Sequence, residues 1–169
     1  MKPSEQPQWH LLETEQETGV FAADVARRLL SHIKQQLPQE AWVLGLKGGL
    51  GSGKTTWMRY MLRTLGHQGP VPSPSYTLAE YYQLQDLHCW HLDLYRLQQE
   101  SEVAALGLDE MLSIGGVSQP VVLVVEWPEK GGTALPDIDL AIEFKHRSAD
   151  ARCYSLEAYS QRGRKLVSI

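Results

Sequence analysis

The sequence predicts an α/β fold in which a mixed central sheet, parallel at its core and antiparallel at its edges, is flanked by helices. Two short runs, 42–46 and 121–125, are apolar without polar alternation, as is typical of strands covered on both faces. The first run leads through a glycine-rich turn into a segment that has helical spacing from Lys54 onward. This order of buried strand, glycine turn and helix is the main indication of the fold class.

The N-terminal region is predicted to be a flexible arm followed by a short strand and a long helix. Residues 1–8 are mostly polar and contain two prolines, whereas 9–12 can add a strand. Thr14 to Glu17 has the capping-box pattern, in which the Thr14 hydroxyl accepts a free backbone N–H and Glu17 reaches back. Apolar residues then recur at every fourth position, which predicts a helix with one buried stripe that ends at Pro38. The stripe consists of Phe21, Val25, Leu29, Ile33 and Leu37.

The segment after the glycine turn is predicted to be a helix closed by Gly66, because glycine readily takes the left-handed conformation that ends many helices. The stretch 69–75 contains three prolines, which lack a backbone N–H, so an extended loop is expected there. Residues 76–84 and 87–94 are predicted to be antiparallel neighbours joined by a tight two-residue turn.

The second half of the chain is predicted to add one helix and four strands. Residues 100–112 have helical character, and the Gly115-Gly116 pair is expected to end that helix before the buried strand at 121–125. Three later stretches alternate weakly and are predicted to be edge strands, namely 138–144, 152–159 and 166–169. Because 169 residues is an ordinary length for one domain, we expect a single domain over 1–169.

The composition indicates a cytoplasmic protein that does not bind DNA or other nucleic acid by itself. Apolar residues make up 43% of the chain and charged residues 21%, which is ordinary for a soluble protein. The net charge of −4 gives no broad cationic surface for a polyanion. Cys89 and Cys153 are too few for a disulfide framework, which suits a reducing compartment. The N-terminus lacks a signal-peptide pattern, and no window of about 18 apolar residues suggests a membrane span.

The turn after the first buried strand has the P-loop pattern, in which Gly48 is followed by four residues and then by Gly53-Lys54-Thr55. Glycines let consecutive backbone N–H groups point at phosphate oxygens, while Lys54 reaches the β and γ phosphates and Thr55 binds Mg²⁺. The helix that opens there adds its own free N–H groups. The motif predicts a P-loop nucleotide-binding fold, and by itself it leaves the activity open among many proteins that use nucleotides. The predicted nucleotide-binding residues of the loop are Gly48, Leu50, Gly51, Ser52, Gly53, Lys54, Thr55 and Thr56.

Two carboxylates at strand ends are candidates to complete the site around Lys54. Glu126 follows the buried run 121–125, where P-loop enzymes keep a carboxylate near the metal, although an acidic residue there can also simply be solvated. Asp93 can hold a metal-bound water or orient the attacking one, and capping a helix before 95–97 is its alternative role. Trp127 is interpreted as a wall of the site or core filler, without chemistry of its own.

Other polar residues in this part of the chain have more open roles. Ser73, Ser75 and Thr77 lie where many P-loop enzymes keep a switch segment that senses the γ phosphate, so Ser75 and Thr77 are candidate nucleotide contacts. Ordinary turn formation explains the same residues equally well. His88 and His91 are three residues apart on a predicted strand, which places them on opposite faces. A shared metal is therefore not expected, and structural roles are favoured for both histidines.

Four segments of the chain, in order, resemble the bacterial TsaE family of ATPases, which serve tRNA threonylcarbamoyladenosine biosynthesis. The similarity extends from the helix at Thr14 to about Arg152, and the last three segments are far more specific than the P-loop alone. The four segments are 48–56, 73–78, 91–97 and 125–129.

The resemblance implies a set of ligands and residue roles that the patterns alone leave open. The nucleotide would be ATP, Thr55 and Glu126 would bind Mg²⁺, and hydrolysis would require Asp93. Together with Lys54 of the P-loop, the two carboxylates form the predicted catalytic set. The adenine would lie between the start of the first helix and a segment near the C-terminus, which makes Glu15 and Arg152 candidate contacts.

The resemblance also implies a protein partner, the heteromeric threonylcarbamoyl-transferase complex of two related subunits. ATP turnover would reset that complex between cycles as it forms the threonylcarbamoyl group on adenosine-37 of tRNAs that read codons starting with A. The tRNA would then be contacted only indirectly, and hydrolysis by the chain alone would be slow.

Two alternative functions share the P-loop. A small-molecule kinase would use the same phosphate cradle but should add a lid with several arginines, whereas the stretch after Leu97 is poor in arginine. A nucleotide-gated binding module with negligible hydrolysis would act through docking to a partner. Phosphate release with and without the partner separates this module from an ATPase.

Overall fold

The computed structural model describes residues 7–35, 40–114 and 119–167, and a seven-stranded sheet forms the centre of these residues. The strands are β1 (His10–Leu12), β2 (Trp42–Lys47), β3 (Ala79–Gln83), β4 (His88–Asp93), β5 (Val121–Glu126), β6 (Leu140–His146) and β7 (Arg152–Ala158). Their spatial order is β1-β7-β6-β2-β5-β4-β3. The helices are α1 (Glu15–Gln35), α2 (Lys54–Thr64), α3 (Glu100–Ala104), α4 (Leu108–Ser113) and α5 (Gln161–Val167).

The sheet is parallel in its centre and antiparallel toward both edges, which confirms the predicted fold class. Strand β2 pairs in parallel with β5 on one side and β6 on the other, and β4 continues the parallel set beyond β5. Strands β3 and β7 run antiparallel to their inner neighbours, and β1 closes one edge. Parallel strands point their carboxyl ends to one side, so the loops that follow β2, β4 and β5 meet at the same sheet edge.

Helices cover both faces of the sheet, as the apolar strands require. Alternate residues of β5 divide between two apolar clusters, with Val122 and Val124 in one and Leu123 and Val125 in the other. Helices α1, α2 and α5 supply the first cluster, and α3 and α4 supply the second. Within the described ranges, no helix combines the length and the apolarity that a membrane span needs.

Most predicted starts and turns of the first half agree with the structure, but β3 begins at Ala79 rather than at residue 76, because 75–77 form a turn. The Thr14 hydroxyl accepts the backbone N–H of Glu17 at 3.2 Å, although Glu17 reaches back to the N–H of Glu13 rather than to that of Thr14. Gly66 lies just past α2 with a φ of 103°, as the left-handed cap requires. The hairpin of β3 and β4 closes through the N–H of Leu84 and the carbonyl of residue 87, 3.0 Å apart. The predicted end of α1 at Pro38 and part of the predicted arm, 1–6, lie outside the described residues.

The prediction of one helix over 100–112 is wrong, because two short helices occupy this stretch. Helix α3 ends at Ala104, and Gly107 then takes a left-handed conformation with a φ of 72° before α4 begins. Gly107 thus separates the two helices, and Val103 before it and Leu108 after it are buried in the same apolar cluster. The predicted break at 115–116 lies outside the described residues.

The C-terminal predictions need two corrections. Neither β6 nor β7 is an edge strand, since β6 lies between β2 and β7, and β7 lies between β6 and β1. The predicted strand at 166–169 is also wrong, because α5 covers residues through Val167 and 168–169 lie outside the description. The Ser160 hydroxyl accepts the N–H of Gly163 at 2.9 Å, which is the N-cap interaction that starts a helix. A Cβ at Gly163 would overlap the carbonyl of Asp139, so the close packing of α5 depends on this glycine.

Candidate nucleotide-binding site

The register of the parallel strands brings the two candidate carboxylates together. Asp93, the last residue of β4, is paired with Glu126, the last residue of β5, and Glu126 is in turn paired with Leu46 of β2. The glycine-rich loop leaves β2 directly after this point. Both carboxylates are almost fully buried, at 3% exposure each. Two adjacent acidic groups therefore lie beneath the loop, at the edge where ligands bind in parallel sheets.

The backbone of the loop explains its glycines. Gly48, Gly51 and Gly53 have φ values of 130°, 68° and 110°, in the region that disfavours any side chain. A Cβ at Gly48 would also overlap the carbonyl oxygen of Phe144 on β6. Helix α2 then starts at Lys54 with Gly53 at its N-cap. The N-terminus of α2 thus faces the same space as the loop, which is the arrangement of an anion-binding site.

Lys54 is held at the base of the loop. Its ammonium group donates to the carbonyl oxygens of Gly48 at 2.7 Å and Gly49 at 2.9 Å. It also lies 4.5 Å from the centre of the Trp127 ring, within range of a cation–π contact. Burial lowers the pKa of Lys54, and the charges of Glu126 and Asp93 oppose that shift. Trp127 is therefore a wall of the site, one of the two roles expected for it.

Glu126 links the loop helix to the neighbouring strand. Its Oε1 accepts a hydrogen bond from the Thr55 hydroxyl at 3.0 Å and lies 2.9 Å from Nε2 of His91. The sequence pattern favoured a structural role for His91 and did not predict this contact. The missed signal is the two-residue period of strands, which puts His91 on the same face as Asp93. His88, on the other face, pairs instead with the Tyr81 hydroxyl.

Asp93 joins the site to the loop that precedes β3. Its Oδ2 accepts hydrogen bonds from the Ser75 hydroxyl at 2.6 Å and the Ser73 hydroxyl at 3.2 Å. Its Oδ1 accepts the backbone N–H of Tyr95 at 3.0 Å. Oδ2 therefore faces the loop hydroxyls, whereas Oδ1 holds the turn after β4; Asp93 does not cap a helix at 95–97, because the chain forms a turn there. Thr77 is turned away from Asp93 and donates to Glu80 at 2.8 Å.

The glycine-rich loop and the two buried carboxylates, Asp93 and Glu126, line one cleft of about 370 Å³. The cleft also includes Glu15 at the start of α1 and Arg152 at the start of β7, so the structure brings both predicted adenine contacts to it. Gly48 and Thr77 are not among the residues that line the cleft. Residues that the sequence reasoning did not select also face it, namely Thr18, Ala149 and Asp150. The predicted residues in the lining are Glu15, Leu50, Gly51, Ser52, Gly53, Lys54, Thr55, Thr56, Ser75, Asp93, Glu126 and Arg152.

Several side chains that line the cleft could offer oxygen atoms to a metal ion. Thr55, Ser73 and Ser75 supply hydroxyls, and Asp93 and Glu126 supply carboxylates. Oxygen donors of this kind suit Mg²⁺, which commonly takes one or two protein ligands and completes its shell with phosphate oxygens and water. The residues present therefore fit a magnesium nucleotide, with Thr55 and Glu126 as the groups that would hold the metal.

The chain is similar to a named family over most of its length. A family model described as threonylcarbamoyl adenosine biosynthesis protein TsaE matches residues 12–154. A protein from Haemophilus influenzae, named tRNA threonylcarbamoyladenosine biosynthesis protein TsaE, is 36% identical over 130 residues, which cover 77% of this chain and 78% of the relative. The Bacillus subtilis protein of the same name is 37% identical over 120 residues, covering 71% and 72% respectively.

A solved structure agrees with these sequence matches. The crystal structure of YdiB from Bacillus subtilis superposes with a TM-score of 0.67 at 28% sequence identity, covering 96% of this chain and 94% of that one. The likeness thus extends across the mixed sheet and the loop that it presents. On the sequence, the fold and the cleft together, the chain belongs to the TsaE family of P-loop nucleotide-binding proteins.

Proposed function

We propose that this chain is a Mg²⁺-dependent ATPase that acts in tRNA threonylcarbamoyladenosine biosynthesis, the process for which its relatives are named. The observation that carries the ATPase assignment is the 3.0 Å hydrogen bond between Thr55 and Glu126. This bond joins the P-loop hydroxyl to a buried strand carboxylate, which is the pairing that positions the metal in P-loop NTPases. The lining of oxygen donors around it supports the choice of Mg²⁺.

The residues of the loop account for phosphate binding. The backbone N–H groups of the loop and of the first turn of α2 provide donors for phosphate oxygens. Lys54 adds a positive charge at the end of the cleft where the carboxylates also lie. Thr55 and Glu126 would hold the magnesium ion, which on binding supplies neutralisation of phosphate charge. The opposite end of the cleft, between Glu15 and Arg152, would then receive the adenosine part of ATP.

Asp93 is proposed to act on the attacking water. It is the second buried carboxylate of the cleft, and its Oδ2 already accepts two hydroxyl groups. A carboxylate in this position can orient a water and accept its proton. Ser73 and Ser75 connect Asp93 to a loop that contacts the same cleft, so this loop is proposed to respond to the γ phosphate.

The partner of the ATPase is proposed to be the heteromeric threonylcarbamoyl-transferase complex, which ATP turnover would reset between cycles. Support comes from membership of the TsaE family and from the net charge of −4, which favours indirect over direct contact with tRNA. Hydrolysis by the isolated chain is expected to be slow. Phosphate release should rise when the complex is added and should require Mg²⁺. Nucleotide binding without phosphate release, with the complex present, would instead favour a nucleotide-gated binding module.

Replacing Asp93 with asparagine should separate nucleotide binding from hydrolysis. Because Asn keeps one oxygen but is neither an anion nor a base, phosphate release should fall about 100-fold, whereas the affinity for ATP should stay within about twofold. Phosphate release and the binding of a fluorescent ATP analogue would measure the two effects. Asp137→Asn, at an exposed site outside the cleft, is the matched control. If affinity falls as much as turnover, Asp93 is a binding or structural residue instead.

A further inference from the structure

His91 has an unusual environment for a core residue. Its side chain is completely buried on β4, at 0% exposure. Its Nε2 lies 2.9 Å from Oε1 of Glu126, the same oxygen that accepts the Thr55 hydroxyl. Its other ring nitrogen, Nδ1, has no hydrogen-bond partner among the described residues. The histidine thus makes one polar contact, and that contact is to the carboxylate of the candidate metal site.

The chemistry of the pair determines which nitrogen carries the proton. An ionised carboxylate can only accept hydrogen bonds, so the nitrogen that faces Glu126 must donate. Nδ1 is then a buried polar atom without a partner among the described residues, which is unfavourable in a protein interior. Packing alone would be served better by an apolar side chain of similar size, which carries no such cost. The Nε2–H bond to Glu126 is therefore the feature that requires a histidine at this position.

The two donors act on the same oxygen of Glu126 from different elements. Thr55 approaches from α2 and His91 from β4, so together they fix where Oε1 lies. A hydroxyl that donates a hydrogen bond to a carboxylate keeps its oxygen lone pairs for another partner. Neither donor engages Oε2, so that oxygen stays available as well. The hydroxyl oxygen of Thr55 and a carboxylate oxygen of Glu126 are thereby held next to each other, where both could bind one metal ion.

We propose that His91 is a positioning residue, which holds Glu126 in the orientation that lets Glu126 and Thr55 bind the magnesium of a nucleotide. This inference rests on the proposed function, because it assigns a role within the same metal site. His91 itself does not line the cleft, so its proposed effect on the metal is exerted through Glu126. Groups that orient a metal ligand in this way typically change metal affinity about 10- to 100-fold when they are removed.

The test uses the full chain and a fluorescent ADP analogue, first in EDTA and then in a titration with Mg²⁺. In His91→Phe, which removes the donor, affinity in EDTA should stay within about twofold of wild type. The Mg²⁺ concentration that gives half of the metal-dependent tightening should rise about tenfold or more. His88→Phe is the matched control, since His88 is a buried histidine of the same strand that contacts Tyr81 instead. Its Mg²⁺ midpoint should equal that of wild type.

Two polar variants distinguish positioning from general stabilisation of the core. The amide nitrogen of glutamine reaches about as far as Nε2, whereas that of asparagine stops near the place of Nδ1. His91→Gln should therefore return the Mg²⁺ midpoint to within about threefold of wild type, and His91→Asn should not. Thermal melting without Mg²⁺ shows whether each variant folds. If His91→Phe does not fold, the comparison of His91→Gln with His91→Asn still tests the positioning role.

The results that would contradict the role of His91 differ from those that would contradict the proposed ATPase. Equal midpoints for His91→Gln and His91→Asn, or a wild-type midpoint in a folded His91→Phe protein, would overturn the positioning role while leaving the ATPase proposal intact. A wild-type chain whose nucleotide affinity does not respond to Mg²⁺ would overturn the proposed metal site and, with it, this role of His91.

Discussion

Replacing Lys54 with alanine is expected to reduce Mg²⁺-dependent ATP hydrolysis at least about 100-fold, since removal of one group that stabilises developing charge typically costs that much or more. The physical reason is its position. Lys54 is the buried cation at the carboxylate end of the cleft, 2.7 Å from the carbonyl of Gly48 in the phosphate loop. Without it, the phosphate charge would face the carboxylates of Glu126 and Asp93 without the ammonium group whose charge offsets theirs. Phosphate release at matched protein concentration measures the effect.

The control for this variant is Lys47→Ala. Lys47 is the last residue of β2, just before the loop, but its ammonium contacts Tyr159 outside the cleft. The Lys47→Ala substitution removes the same charge and should leave the rate of hydrolysis within about twofold of wild type. Cys89 provides a check on folding, because burial raises the pKa of its thiol to about 12 and leaves it unexposed. Hydrolysis near wild type in a Lys54→Ala protein whose Cys89 stays protected from thiol reagents would contradict the proposed role.

Replacing Glu126 with alanine is expected to reduce hydrolysis about 100-fold at ordinary Mg²⁺ concentrations. The change removes a proposed metal ligand and also leaves the Thr55 hydroxyl and His91 Nε2 without their shared acceptor. Losses of 10- to 100-fold in metal affinity follow even from removing groups that only orient a ligand. Raising Mg²⁺ should recover part of the activity, which a rate measurement across a Mg²⁺ series would reveal.

Glu143→Ala is a suitable control for the Glu126 variant. Glu143 lies on β6 and pairs with Lys145 at the surface, so the Mg²⁺ dependence should not change. A Glu126→Ala protein with the wild-type rate and Mg²⁺ response would exclude Glu126 as a metal ligand. A protein that binds no nucleotide even in EDTA would indicate that the glutamate holds the loop together instead.

The parts of the fold that the sequence predicted are those governed by local pattern. The apolar runs of β2 and β5, the capping residue Thr14 and the glycines of the loop each express a short-range constraint. The wrong assignments arose where distant packing decides. Strand β6 looks like an edge strand locally, but β7 and β1 continue the sheet beyond it. Helix α5 depends on contact between Gly163 and Asp139, which no local period reveals.

The same distinction holds for the candidate site. Lys54, Thr55, Asp93 and Glu126 could be selected because a motif or a strand end marks each of them. Their convergence on one cleft follows from the parallel register, which pairs Asp93 with Glu126. The two-residue period of strands places His91 on the same face as Asp93, but its contact with Glu126 depends on how the side chains of two neighbouring strands pack. The turn of Thr77 toward Glu80 is equally invisible in a run of loop hydroxyls.

The most direct test of the proposed function is a multiple-turnover assay of threonylcarbamoyladenosine formation. The purified transferase complex would receive tRNA, an activated threonylcarbamoyl donor, ATP and Mg²⁺, with either the wild-type chain or Lys54→Ala. Product per complex and phosphate release would be followed together. We predict many product molecules per complex with wild type, in step with phosphate release, and about one with Lys54→Ala. Equal multiple turnover with the hydrolysis-deficient variant would contradict the proposal that ATP hydrolysis by this chain resets the complex.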